Sequence, residues 1–121
     1  MKTIGIIGAM PSEVDHLTAR LTQSTVTAIA GRRFVQGQLG KHTAVVVESG
    51  IGKVNAAITA QLLIDRFAPD ILLNTGMAGG LATELAVKDL VIGTEAVQHD
   101  FDITAFGHAP GYMGTGGDDQ Q

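Results

Sequence analysis

The stretch VVVESGIGKVNAA, residues 45–57, decides how this chain is read. Three consecutive valines show no polar alternation, which marks a strand covered on both faces, as parallel strands are. Gly50 and Gly52 punctuate a short turn, and a helical pattern begins directly at Lys53. Strand, glycine turn and helix together make the βα unit of an α/β fold. The turn is not a Walker loop, because Val54 stands after Lys53 where a Ser or Thr would hold magnesium. It is not a dinucleotide fingerprint, because Asn55 occupies the third glycine position. Two readings remain: a turn whose glycines let backbone approach a ligand, or a tight connection with no ligand.

Working outward, TIGIIGA (residues 3–9) is a second continuously apolar strand. A helix follows from Pro11 to about Leu21, with Pro11 in the first turn and Ser12 and Asp15 spaced as a capping box. Residues 24–30, 33–39 and 42–48 read as three strands joined through Gly31-Arg32 and Gly40-Lys41, an antiparallel meander. The next helix spans about Lys53 to Phe67, ends before Pro69, and is expected to bury Val54, Ala57, Ile58, Leu62 and Ile64 or Phe67. DILLNTG (70–76) and LVIGTEA (90–96) supply two further buried strands. The order β-α-β-β-β-α-β-β predicts a three-layer α/β/α sandwich with a mixed central sheet. Beyond residue 107 the Gly-rich sequence has no apolar period, so residues 108–121 read as a loop or disordered tail.

Composition sets the outer limits. The 121 residues suffice for one domain, and 45% hydrophobic against 17% charged residues is a globular balance. Aromatics are only 4%, so the core must be aliphatic. With net charge −4 and scattered Lys and Arg, nothing marks a nucleic-acid binder. No stretch has the length of a membrane span, and the first ten residues do not read as a signal peptide. The absence of cysteine excludes disulfide and thiolate chemistry and predicts a cytoplasmic home.

Three places carry chemistry. Glu13 falls in the first turn of the first helix, just past a strand's carboxyl end, where open α/β sheets bind ligands. A first-turn Glu is equally explained by the helix dipole. NTGMAGG (74–80) follows another strand and leaves room for a flat ligand against backbone, or is only a tight connection. HDFDITAF (99–106) gathers His99, Asp100 and Asp102, but without the spacing of a ligand set, so no metal is expected and loop hydrogen bonding is the plainer role. Phe101 and Phe106 suggest an interface.

IGIIGAM with Glu13-Val14, SGIGKVNAA, NTGMAGGL and HDFDITAFG stand in the same order and spacing as in the 5′-methylthioadenosine/S-adenosylhomocysteine nucleosidases, and the chain resembles that family from residue 1 to about Gly107. The resemblance implies a nucleoside phosphorylase-like α/β/α sandwich, a homodimer, and hydrolysis of the N-glycosidic bond to adenine in adenosine thioethers, with no cofactor or metal. It implies that residues 1–107 are the N-terminal part of a single nucleosidase domain, truncated relative to the family. By resemblance Glu13 activates the water. Met10 lines the site beside it, Ile51 packs near the thio-substituted end of the ribose, and Ala78 and Gly79 offer backbone beside ribose and base. Ile103 and Phe106 resemble residues contributed across the dimer to the partner's alkylthio pocket. A cleft walled by Met10, Ile51 and Met77 is expected to desolvate Glu13 and raise its pKa.

The sequence departs from the family in two ways. Met77 stands where the family commonly has Ser, and Met cannot donate a hydrogen bond. The resemblance also covers only about the first half of the family's length, without the Asp that protonates the purine, the Glu that grips the ribose hydroxyls or the stacking aromatic. Two alternatives stay open: a phosphorylase of the same fold, which would want a basic anion site near Pro11-Ser12-Glu13, and a non-catalytic dimerisation or binding module.

Overall fold

A computed structural model of the chain describes residues 1–96 and residue 105. The elements run β1 (Thr3–Gly8), α1 (Pro11–Arg20), β2 (Thr22–Ile29), β3 (Arg32–Leu39), β4 (His42–Glu48), α2 (Lys53–Phe67) and β5 (Ile71–Asn74). All seven lie in one compact unit, Met1–Gly79. A second unit begins at Gly80; its described part contains turns, with the Leu85 N–H donating to the Ala82 carbonyl and the Asp89 N–H to that of Ala86.

The strands form one mixed sheet in the order β2-β3-β4-β1-β5. β1 is parallel to both β4 and β5, with Ile6 opposite Val46 and Leu73. β2, β3 and β4 make the antiparallel meander. Its first turn works because Ala30 and Gly31 both take positive φ, 51° and 75°, the combination a two-residue hairpin of the right twist needs.

Alternate residues of the central strands feed two cores, one per sheet face. On one face Val14 of α1 packs with Ile6, Val35, Ala44 and Val46, and Leu17 adds to it. On the other, Leu63 of α2 packs with Ile7, Phe34, Val45 and Val47, and Phe67 stacks on Phe34 with ring centroids 5.3 Å apart. The expected α/β/α layering is therefore present, with an aliphatic core.

Four local expectations are corrected. α1 is not capped by Ser12 and Asp15. Pro11 is already its first residue, so the cap lies before it: Met10 is extended, its N–H donates to the Glu13 carboxylate, and the Glu13 N–H donates to the Met10 carbonyl. α2 is turned partly away from the expected stripe. Asn55, Thr59 and Leu63 face the sheet together with the expected Leu62 and Phe67, while Val54, Ala57, Ile58 and Ile64 stay exposed. Polar ties accompany that rotation: the half-buried Arg32 donates from Nε to Thr59 Oγ1 (2.7 Å) and from Nη2 to Asn55 Oδ1 (2.9 Å). β5 is an edge strand of the described sheet, with Ile71, Leu72 and Leu73 each at least 40% exposed, where a buried strand was expected. Residues 90–96 form no strand. Among the described residues they pair with no neighbour, and Leu90 and Ile92 remain exposed.

Candidate active site

The parallel strands β1, β4 and β5 end together, and main-chain bonds extend their ladders one step past the strand ends. The Ser49 N–H donates to the Gly8 carbonyl (2.8 Å) and the Thr75 N–H to that of Ile7 (2.9 Å). Strand carboxyl ends of this kind are where α/β sheets open a crevice. Here the crevice is a cleft of about 330 Å³ lined by Ala9, Glu13, Asn74, Thr75, Gly76, Met77 and Ala78. β1 supplies one wall through the turn into α1, and β5 supplies the other through the chain that follows it.

Among the described residues lining that cleft, Glu13 is the one ionisable side chain. Its carboxylate accepts three main-chain N–H groups. Ala9 (2.5 Å) and Met10 (3.1 Å) donate to Oε2, and Met77 (3.3 Å) donates to Oε1. The Met77 N–H, followed by those of Ala9 and Met10, holds the Glu13 carboxyl below its ordinary value, against a partial burial that pushes it up. This reverses the expected direction. The apolar wall expected of Met10, Ile51 and Met77 is open, with Ile51 and Met77 each 73% exposed, so amide donors outweigh desolvation. At neutral pH Glu13 is a ready proton acceptor of modest basicity.

The geometry brings Glu13, Met77 and Ala78 to one cleft and leaves Met10 at its margin, joined through its N–H to Glu13. Gly79 is next in the chain after Ala78, and a Cβ built on it would meet open space. Ile51 is not part of the lining. Its turn is shaped by Gly50 and Gly52, at φ 85° and 97°, and pinned by Asn55, whose Nδ2 donates to the Ile51 carbonyl (2.8 Å). Ile103 and Phe106, like His99, Asp100 and Asp102, lie outside the described residues. Met77 contacts Glu13 through its main-chain N–H, which is independent of the Ser-to-Met difference in its side chain. Ala9, Asn74, Thr75 and Gly76 complete the lining and were not singled out from the sequence. The small residues around Gly76 signalled a ligand-sized gap, but nothing local shows that Gly76 faces Glu13, 63 positions away in the chain.

A sequence profile of the phosphorylase superfamily matches residues 3–119, and the chain belongs to that superfamily. Within it, the chain is similar to 5′-methylthioadenosine/S-adenosylhomocysteine nucleosidases. It is 54% identical over 110 residues to the one from Shewanella piezotolerans, covering 91% of this chain and 48% of that protein. The crystal structure of the Colwellia psychrerythraea nucleosidase in complex with adenine superposes with a TM-score of 0.90 at 48% identity, over 93% of this chain and 46% of that one. That of the Neisseria meningitidis nucleosidase in complex with methylthio-immucillin-A gives 0.90 at 42% identity, over 93% and 49%. The chain thus spans about half the length of the curated relatives it matches.

Proposed function

We propose that this chain carries the water-activating half of an N-glycosyl hydrolase site that acts on 5′-methylthioadenosine and S-adenosylhomocysteine, releasing adenine in methionine salvage. One observation carries the reading. A single carboxylate, fixed by three main-chain donors, stands in a cleft at the strand carboxyl ends, and no Lys or Arg is among the described residues lining it. A phosphorylase needs a cationic seat for phosphate there, and a bare carboxylate repels that anion. Water suffers no such repulsion.

In the proposed reaction a water oxygen bonds to C1′ as the C1′–N9 bond breaks through an oxocarbenium-like state. The water proton passes to Glu13. The electron pair of the broken bond goes to adenine, whose ring nitrogen takes a proton from an acid. No described residue lining the cleft other than Glu13 is such an acid, and we assign that role to the half of the relatives' length that this chain does not span, reading residues 1–107 as the N-terminal part of one nucleosidase domain. Met10 lines the site beside Glu13, and Ala78 and Gly79 flank ribose and base. Ile51 serves the thioalkyl end, joined by Ile103 and Phe106 from a second subunit of a cytoplasmic homodimer. The names and bound ligands of the similar nucleosidases support the substrate class.

The test is to incubate this chain, and any longer product that contains it, with methylthioadenosine in the presence and absence of phosphate, and to follow adenine by chromatography. Adenine is expected without phosphate from the longer product. Release that strictly requires phosphate would overturn the hydrolase reading in favour of phosphorolysis. The alternative of a non-catalytic dimerisation module is favoured by the outward apolar face of α2, at Val54, Ile58 and Ile64. It predicts a concentration-dependent dimer in sedimentation with no adenine released by the longer product.

A further inference from the structure

Two glycines flank the Glu13 carboxylate, each immediately before one of its donors. Gly8 precedes Ala9 at the end of β1, and Gly76 precedes Met77 after β5. A Cβ built on Gly76 would stand 2.9 Å from Glu13 Oε1, 3.2 Å from Cδ and 3.5 Å from Oε2. One built on Gly8 would stand 3.0 Å from Glu13 Cβ and 3.5 Å from Oε2, and also 2.6 Å from Val14 Cγ1 in the core. Neither glycine takes a positive φ. Their lack of a side chain therefore answers to space around Glu13 and not to backbone conformation.

We propose that Gly76, assisted by Gly8, is a positioning residue for the Glu13 carboxylate: without a Cβ, each glycine lets the following N–H close on one carboxylate oxygen, and the pair holds the side chain in one orientation at the wall of the cleft. A glutamate has three rotatable bonds and, untethered, sweeps a wide arc. Activation of water requires its oxygen within hydrogen-bond reach of one defined point. The two clamps come from the ends of the neighbouring parallel strands β1 and β5, so the carboxylate is fixed by the sheet itself. The placement is independent of any reaction; its catalytic consequence rests on the proposed hydrolase reading.

The two glycines differ in what a methyl group would disturb. At Gly8 the nearest atom belongs to Val14, so alanine there strains the core. At Gly76 all three nearest atoms belong to the end of the Glu13 side chain, which can swing away. Gly76→Ala is therefore expected to fold, and to do so by displacing the carboxylate from the Met77 N–H.

The experiment follows the Glu13 carboxyl by carbon-13 NMR during a pH titration of the 121-residue chain, unsubstituted and as Gly76→Ala, with Gly93→Ala as control because a methyl there meets open space. The midpoint is expected to move upward in Gly76→Ala, as a donor is lost, and to stay in place in Gly93→Ala. A folded Gly76→Ala chain with an unmoved midpoint overturns the proposal. If Gly76→Ala does not fold, the double variant Gly76→Ala/Glu13→Ala decides. The methyl's closest neighbours are then gone, so the double variant must be as stable as Glu13→Ala alone, and a double variant less stable than that single one overturns the proposal. In the longer product, Gly76→Ala is expected to lower kcat about 10²-fold with KM little changed, the signature of a misplaced group. A moved midpoint in a family of products that never release adenine would leave the positioning intact and sink the hydrolase reading instead.

Discussion

Glu13 combines two demands on one side chain: its carboxylate ties the start of α1 to the chain after β5, and it faces an open cleft. The tie sets a pH signature. A carboxyl whose folded pKa is lowered stabilises the fold fully above its unfolded value, about 4.3, and loses that contribution as pH falls through the lower folded value. The stability difference between the parent and Glu13→Gln is therefore expected to be constant at neutral pH and to narrow below about pH 4, as read by denaturant unfolding at a series of pH values. A gap that does not change with pH would mean that the amide bonds are not made to the ionised group. In the longer product, Glu13→Gln keeps the size but accepts no proton, and turnover should drop by at least about 10²-fold. The parent's acid limb should lie below the ordinary carboxylate range, opposite to the limb of a desolvated base.

At the scale of elements, α2 is held by a guanidinium as much as by its apolar stripe. Arg32 on β3 reaches Thr59, which is fully buried, and Asn55, which in turn holds the Ile51 carbonyl. Arg32→Ala leaves the Thr59 hydroxyl without that donor and is expected to cost about 1–3 kcal/mol, measured by denaturant unfolding. Arg32→Lys should recover little, since an ammonium cannot span both oxygens as the planar fork does. The far end of α2 carries the opposite kind of feature. Ala68 terminates the helix in the left-handed region at φ 45°, its N–H donating to the Ile64 carbonyl. That conformation is unfavourable for any residue with a Cβ, so Ala68→Gly is expected to stabilise the chain by roughly 0.5–1 kcal/mol. A thermal melt that fell instead would show that unfolded-state entropy outweighs the relief.

For the whole molecule, the outward face of α2 is the surface that the proposed homodimer would cover. Val54 is 74% exposed, and Ile58 one turn on and Ile64 near the other end are exposed too, on a helix whose inward side already serves the core. A charge at the centre of such a face opposes its burial. Ile58→Asp is expected to shift sedimentation toward monomer while leaving the far-UV circular dichroism unchanged. A parent that is monomeric at every concentration would remove the dimer from the proposal. No helix among the described residues is long and apolar enough to cross a membrane.

The sequence by itself determined the order of elements and their periods. The apolar runs within 3–9 and at 44–47 read as strands covered on both sides, paired glycine turns set the meander, and Pro11 and Pro69 bounded the helices. These signals are local, each written within one element. Only the tertiary structure decided which side of α2 faces inward, because apolar residues lie on both sides of the helix and the polar Asn55 and Thr59 turn inward to Arg32, a residue of another element. It also decided that 71–74 is an edge and that 90–96 pairs with nothing described, since a strand's burial belongs to its neighbours. Glu13 divides between the two. Its position at a strand's carboxyl end was legible, but the sign of its pKa was not, because that depends on an N–H arriving from Met77, brought alongside only when β5 pairs with β1.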